Sequence, residues 1–201
     1  MKSSEVLLQA GPLSGEFQCD LGDTRRSDRV LRICELLAER PDESFPEVFD
    51  DPSELEAVYR LLRNKAVTFD GIFGGHVEAT RQRAGKFSKL AIVHDTTEFH
   101  WPHRDTKRWG LGRLSQMRQG FFGHTSLAVS ADGLRCPVGC IRMRPFARPK
   151  ELGSDEERAW WEERFPYWES EFDRWSEAVI ETQKALGEAS QLVHIMDREG
   201  D

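Results

Sequence analysis

Two aspartates, each at the end of a short apolar run, are the residues of this chain best suited to chemistry. Asp95 follows the run Leu90–His94, and Asp197 follows the run Leu192–Met196. Such runs predict buried strands, and α/β sheets commonly carry their functional side chains at the carboxyl ends of strands. Two carboxylates brought together there would supply the hard oxygen ligands that Mg²⁺ prefers.

Other interpretations of these acidic residues stay open from the sequence. Each aspartate could instead cap the turn that follows its strand. An independent metal-dependent nuclease, completed by Glu98 or Glu199, is a further option. A zinc site is disfavoured, because His100-x-x-His103 is followed by no second pair of ligands.

Basic residues with possible roles in phosphate binding occur in two stretches. Arg25, Arg26 and Arg29 lie at the start of a predicted helix, where arginine forks and the helix amino terminus both attract phosphates. The second stretch is punctuated by glycines and could follow a DNA backbone. Its basic residues are His103, Arg104, Lys107, Arg108, Arg113 and Arg118. The alternatives are a solvated helix face for the first stretch and a solvated loop for the second.

The composition is that of a globular protein and not of a general nucleic-acid coat protein. Of 201 residues, 31% are charged and 38% are apolar, with a formal net charge of -7. Phosphate binding must therefore depend on local basic patches. The four cysteines form no CxxC pair, which indicates reduced thiols in a cytoplasmic protein. The sequence shows neither a signal peptide nor a run long enough to span a bilayer.

Helix start and stop signals predict that the first 82 residues form a helical unit. Asp23 or Thr24 caps a helix that runs to Arg40, and Pro41 ends it. Ser53 with Glu56 forms a capping box for the next helix. Thr68 opens a third.

The apolar pattern and turn signals of residues 83–201 predict a unit with strands and helices. We expect strands at Leu90–His94 and, more briefly, at Thr96–Trp101. A hairpin of 124–130 with 134–143 follows. A helix then begins at Ser154, breaks at Pro166 and ends at Gly187, before the final strand. The overall class is α+β or α/β, and adjacent parallel first and last strands would bring Asp95 and Asp197 together.

Several blocks, in order, resemble the N-terminal part of Tn5-like transposases of the IS4 group. A D-T-T or D-R-E block alone occurs often by chance, so the order of the blocks carries the resemblance. The blocks are Leu21–Arg26 with Arg29, Ala57–Asn64 with Val67, Asp95–Thr97, Gly110–Gly112, His124–Leu127, Asp173–Trp175 and Asp197–Asp201.

The resemblance implies a function for each unit. Residues 1–82 would bind double-stranded DNA at transposon ends, with Arg60 and Arg63 as further contacts. Residues 83–201 would form part of an RNase H-like catalytic domain. Asp95 and Asp197 would there hold Mg²⁺, or Mn²⁺, for DNA cleavage and strand transfer.

The resemblance also implies an incomplete catalytic set. The third catalytic residue of the family is a glutamate on a later helix, and the sequence reaches Asp201 before supplying one. We therefore expect a truncated and inactive transposase copy of an insertion sequence. The alternative is a non-catalytic DNA-binding fragment that occupies transposon ends or inhibits full-length transposase.

Overall fold

A computed structural model describes residues 13–102, 108–114, 118–132, 135–148, 154–164, 171–187 and 190–197. The chain divides into two compact units, Met1–Gln82 and Arg83–Asp201. Helices come first and a mixed sheet with further helices follows, which confirms the predicted α+β class. None of the helices in the described ranges combines the length and apolar character needed to cross a bilayer.

The first unit is helical and is built around one apolar cluster. Its helices are α1 (Leu13–Glu16), α2 (Thr24–Glu39), α3 (Phe45–Val48), α4 (Pro52–Leu62) and α5 (Phe69–Ala84). The helical repeat places Val30, Ile33 and Leu36 of α2 on one buried face. They pack with Phe49, which follows α3, and with Val58 of α4.

The helix starts confirm two sequence predictions and correct a third. Asp23 caps α2 by accepting a hydrogen bond from the N–H of Arg25. Thr68 likewise accepts one from Gly71 at the start of α5. The N-cap of α4 is Asp51 and not Ser53, because the Asp51 carboxylate accepts from the Ser53 N–H.

The second unit contains a five-stranded sheet. Its strands are β1 (Lys89–Pro102), β2 (Gly112–Arg113), β3 (Arg118–Ser130), β4 (Pro137–Phe146) and β5 (Gln191–Ile195). β3 runs antiparallel to β1, β2 and β4, while β5 pairs with the other edge of β1 in parallel. The two predicted strands before Pro102 are therefore one continuous strand. It pairs with β3 from Leu90↔Ser130 to Pro102↔Arg118.

Two helices of the second unit, α6 (Asp155–Arg164) and α7 (Glu171–Leu186), pack against its strands. Trp175 of α7 is buried against the strands, as its apolar spacing predicts. Arg142 of β4 is 7% exposed and forms ion pairs with Glu177 and Glu181 of α7. Gly187 ends α7 with a positive φ of 66°, which confirms the predicted stop.

Candidate functional site

A row of arginines lines a groove between α2 and α4. Arg25, Arg29 and Arg32 are spaced by four and three residues, so the helical repeat places them on one exposed face of α2. The groove encloses about 530 Å³. Its other lining residues are Asp28, Ile33, Phe49, Ser53, Glu54, Ala57 and Val58. Because Asp28 and Glu54 are acidic, the positive charge follows the arginine row and does not fill the groove.

The three arginines predicted from the sequence have different surroundings. The Arg25 side chain is 90% exposed and pairs with Asp23 at 3.0 Å, and its hydrogen bonds lower the pKa of that carboxyl. Arg29 is exposed in the groove. Arg26 is half-buried, and its guanidinium donates to the Leu21 carbonyl at 3.0 Å. Arg26 therefore supports the fold, while Arg25 and Arg29 face solvent.

Arg32 is a groove residue that the sequence reasoning missed. It lies three residues after Arg29, and this helical spacing was the signal that could have found it. Arg60 and Arg63 are exposed at the end of α4, outside the residues that line the groove.

Asp95 and Asp197 follow the last residue pair in the parallel register of β1 and β5. Val93 pairs with Ile195, and each aspartate lies two residues beyond its member of that pair. Since side chains alternate along a strand, Asp95 lies on the sheet face opposite His94, whereas Asp197 lies two residues past the end of β5; both residues are exposed. Carboxylate oxygens are ligands that suit a hard divalent cation.

The opposite sheet face holds a histidine cluster, in which His94 of β1 and His124 of β3 are buried and His194 of β5 is half-buried. The Nδ1 atom of His94 is hydrogen-bonded to the Ser126 hydroxyl at 2.9 Å, and its Nε2 atom is hydrogen-bonded to Nδ1 of His194 at 2.8 Å. His124 bonds the Thr96 hydroxyl at 2.9 Å. Burial places His94 away from Asp95, as the odd offset along the strand predicts.

Burial keeps this histidine cluster neutral. Desolvation, reinforced by His194 and then by Arg142, lowers the pKa of His94 to about 4. Desolvation, followed by the charges of Arg142 and Arg174, lowers the pKa of His124 to about 3. The indole of Trp175 lies edge-on to both imidazole rings, with centroid distances of 6.3 Å to His94 and 4.6 Å to His124. Contact across three elements makes the cluster part of the core of this unit.

Glu98 lies on the histidine face of β1 and not on the aspartate face. The β1–β3 register runs without a shift, so Asp95 and Glu98, three residues apart, have opposite orientations. Glu98 forms an ion pair with Arg118 at 2.6 Å. This geometry argues against Glu98 as a third ligand beside Asp95. Within the described ranges, no group of three or more His, Cys, Asp or Glu side chains is placed to hold a metal ion.

The predicted basic segment is described only in part. Arg104 and Lys107 lie outside the described residues, and Arg113 lies in β2, with its side chain outside them. Arg108 is exposed, and its backbone N–H donates to the buried Gln119 side chain at 2.8 Å. Gly110 follows with a positive φ of 77°, which a glycine adopts without strain.

The helical part of the first unit is similar to a known DNA-binding family. Residues 14–67 match the transposase DNA-binding family. The match includes Arg25, Arg29 and Arg32 and both helices that form the groove. It supports a transposase N-terminus at this part of the chain, with a transposase-related role in DNA binding.

Proposed function

We propose that this protein binds double-stranded DNA at transposon ends through the arginine row of α2. The observation that carries the proposal is the coincidence of the family match with the row. Three exposed arginines lie on one helix face inside the matched residues. Arginine side chains bind phosphates bidentately, and they are the main source of affinity in sequence-independent DNA contacts.

The test is duplex binding by a protein with two of these arginines removed. Fluorescence anisotropy of a labelled 30-base-pair duplex is measured at several salt concentrations for the unaltered chain and for Arg25→Ala/Arg29→Ala. We expect weaker binding and a salt slope lower by about 2, since each phosphate contact contributes roughly one unit of slope. Arg81→Ala, on an exposed arginine of α5 outside the matched residues, is the control.

Equal loss of affinity in the Arg81→Ala control, or unchanged binding in the double variant, would contradict the proposal. Selection from a random duplex library with the unaltered chain then tests the preference for transposon ends. Enrichment of one shared sequence is expected, and an unselective pool would leave general DNA binding instead.

A second function, supported by the parallel pairing of β1 and β5 just before Asp95 and Asp197, is metal-dependent chemistry on a phosphodiester. We propose that the second unit is an RNase H-like catalytic region of an insertion-sequence transposase and that these carboxylates hold Mg²⁺ or Mn²⁺. A bound ion would supply Lewis acidity and an activated water. The carboxylates would position the ion, and the Thr125 hydroxyl, which donates to the Asp95 carbonyl at 3.3 Å, would help to fix the strand beside it.

We expect weak or undetectable cleavage by the 201-residue chain alone. The proposed site has two carboxylates, and two ligands hold a metal pair less firmly than three. Strand nicking of the selected duplex with Mg²⁺ or Mn²⁺ measures this. Strong cleavage that disappears in Asp95→Asn would show a competent enzyme and would refute the expectation of an inactive copy.

The alternative function is a non-catalytic protein that occupies transposon ends or inhibits full-length transposase. The duplex binding expected of the arginine row is sufficient for it. In a transposition assay with full-length transposase, the unaltered chain and Asp95→Asn would then inhibit equally. The variant lacking Arg25 and Arg29 side chains would not inhibit.

A further inference from the structure

A second surface of the molecule combines an exposed aromatic ring with arginine. Trp109 is 59% exposed, and its ring lies edge-on to Trp160 with 5.3 Å between centroids. The Arg164 guanidinium lies 4.7 Å from the centroid of Trp160. Arg108, next to Trp109 in the chain, is exposed. We call these four residues the tryptophan patch.

The turn that carries Trp109 is fixed by buried polar contacts. The N–H of Gly110 donates to Glu157 at 2.9 Å, and the carbonyl of Gly110 accepts from the Trp161 indole at 3.0 Å. Glu157 is 2% exposed and Trp161 is 6% exposed. With the bond from Arg108 to Gln119, three hydrogen bonds hold residues 108–110. An aromatic ring held in place before binding loses little entropy when a ligand stacks on it.

A series of aromatic contacts connects the tryptophan patch with the strand that carries Asp95. Trp101 of β1, also partly exposed, follows Asp95 by six residues, so it belongs to the same sheet face about 20 Å away. Trp101 contacts Phe121, and Phe121 contacts Trp161 beneath the patch. These aromatic contacts therefore tie the patch to the sheet face on which Asp95 lies.

Aromatic rings with neighbouring arginines suit unpaired nucleotides. Each base has a π-face that stacks on indole regardless of its identity, and arginine contributes charge and cation–π contacts. In the sequence, the glycine-punctuated segment 103–118, which contains Arg108 and Trp109, is rich in basic residues. Arg164 also pairs with Glu163 at 2.8 Å, so Arg108 is the member of the patch with the more available charge.

We propose that the tryptophan patch binds an unpaired stretch of a DNA strand, with a base stacked on Trp109 and phosphates near Arg108. This inference rests on the proposed DNA-binding function and adds a separate site for single-stranded DNA in the second unit. A duplex has its bases stacked on one another and cannot offer a free face to Trp109 without local opening.

The test compares two single-stranded probes on the full chain. Anisotropy is measured with a labelled 12-nucleotide oligothymidine and with a 12-residue abasic strand of the same charge. Trp109→Ala should weaken binding of the thymidine strand by roughly 5- to 150-fold, the range expected for loss of one stacked base. Trp109→Phe should retain most of that affinity, and the abasic strand should bind all three proteins equally weakly.

The matched control is Phe172→Ala, which removes an aromatic residue of α7 that is 67% exposed and outside the patch. It should bind the thymidine strand as the unaltered chain does. Equal affinity of Trp109→Ala and the unaltered chain, or an equal loss in Phe172→Ala, would overturn the proposal. Duplex binding through the arginine row is measured in parallel, because its loss in Arg25→Ala/Arg29→Ala reports on the proposed function independently.

Discussion

Arg26 and Arg29 lie one helical turn apart on α2, but their guanidinium groups contact different surroundings. Arg26 donates to the Leu21 carbonyl and is half-buried, whereas Arg29 faces the groove. A list of basic residues cannot distinguish these roles, since both belong to the same sequence block. The distinction depends on which backbone carbonyl lies within reach once the chain before α2 has folded.

Separate alanine substitutions should therefore have separate effects. Arg26→Ala should lower the free energy of unfolding by about 1 kcal/mol, the usual value for one lost hydrogen bond. Arg29→Ala should leave unfolding unchanged and lower the salt slope of duplex binding by about 1. Urea unfolding measures the free energy of unfolding, and fluorescence anisotropy measures the salt slope of duplex binding. A stability loss in Arg29→Ala with normal DNA binding would show that the assignment is reversed.

The histidine cluster should make the chain acid-sensitive. His124 is fully buried with a pKa of about 3, below the ordinary 6.5. The unfolded chain therefore binds the proton more readily, and the stability contributed by neutral His124 is complete above pH 6.5. It declines as the pH falls from 6.5 toward 3, with a slope of about 1.4 kcal/mol per pH unit for this group.

His124→Gln removes one of the titrating groups and should make the decline in stability less steep, while His94, with its pKa of about 4, still contributes. Urea unfolding between pH 7 and pH 5 compares the variant with the unaltered protein. Lower stability of the variant at pH 7 is acceptable, because the test lies in the slope. An equally steep slope in both proteins would show that other groups cause the acid sensitivity.

At the scale of elements, local signals predicted several helix boundaries. Asp23, Thr68 and Gly187 act where the sequence places them, since capping and positive φ depend on near neighbours. The length of β1 was missed because its second half gains its strand character by pairing with β3. The contact of His94 with His194 was missed for a similar reason, since it depends on pairing across 100 residues.

The start of α4 offers a direct test of the corrected boundary. Asp51→Ala should cost about 1 kcal/mol of stability, the typical value for a lost N-cap. Ser53→Ala should cost less, because Ser53 contributes its backbone N–H to the cap and this group remains. Urea unfolding of the two variants decides between them. A larger loss in Ser53→Ala would restore the capping box predicted from the sequence.

At the scale of the molecule, the two units carry different kinds of candidate site. The first unit has an arginine row inside the residues that match the transposase DNA-binding family. The second unit has Asp95 on β1, Asp197 two residues past the end of the adjacent β5, and an aromatic patch beside a fixed turn. The family match supports DNA binding by the first unit, and the register supports our proposal of metal binding by the second.

Metal binding by the second unit can be measured without DNA or cleavage. Titration of the chain with Mn²⁺, followed by electron paramagnetic resonance of the free ion, should show binding that weakens at least 10-fold in Asp95→Asn/Asp197→Asn. Removing both carboxylates removes the charges and oxygen ligands that attract the ion. Glu98→Gln, on the other sheet face, should bind Mn²⁺ normally. Equally weakened Mn²⁺ binding in Glu98→Gln and in the double asparagine variant would show that the ion binds elsewhere.

Hydrogen–deuterium exchange with and without duplex DNA tests the central claim most directly, because it locates the DNA on the whole chain. We predict slower exchange on DNA binding in peptides that cover α2 and the start of α4, where the groove lies. Peptides from α7 should exchange at the same rate in both states. Protection confined to residues 83–201, with no change in α2, would contradict the account.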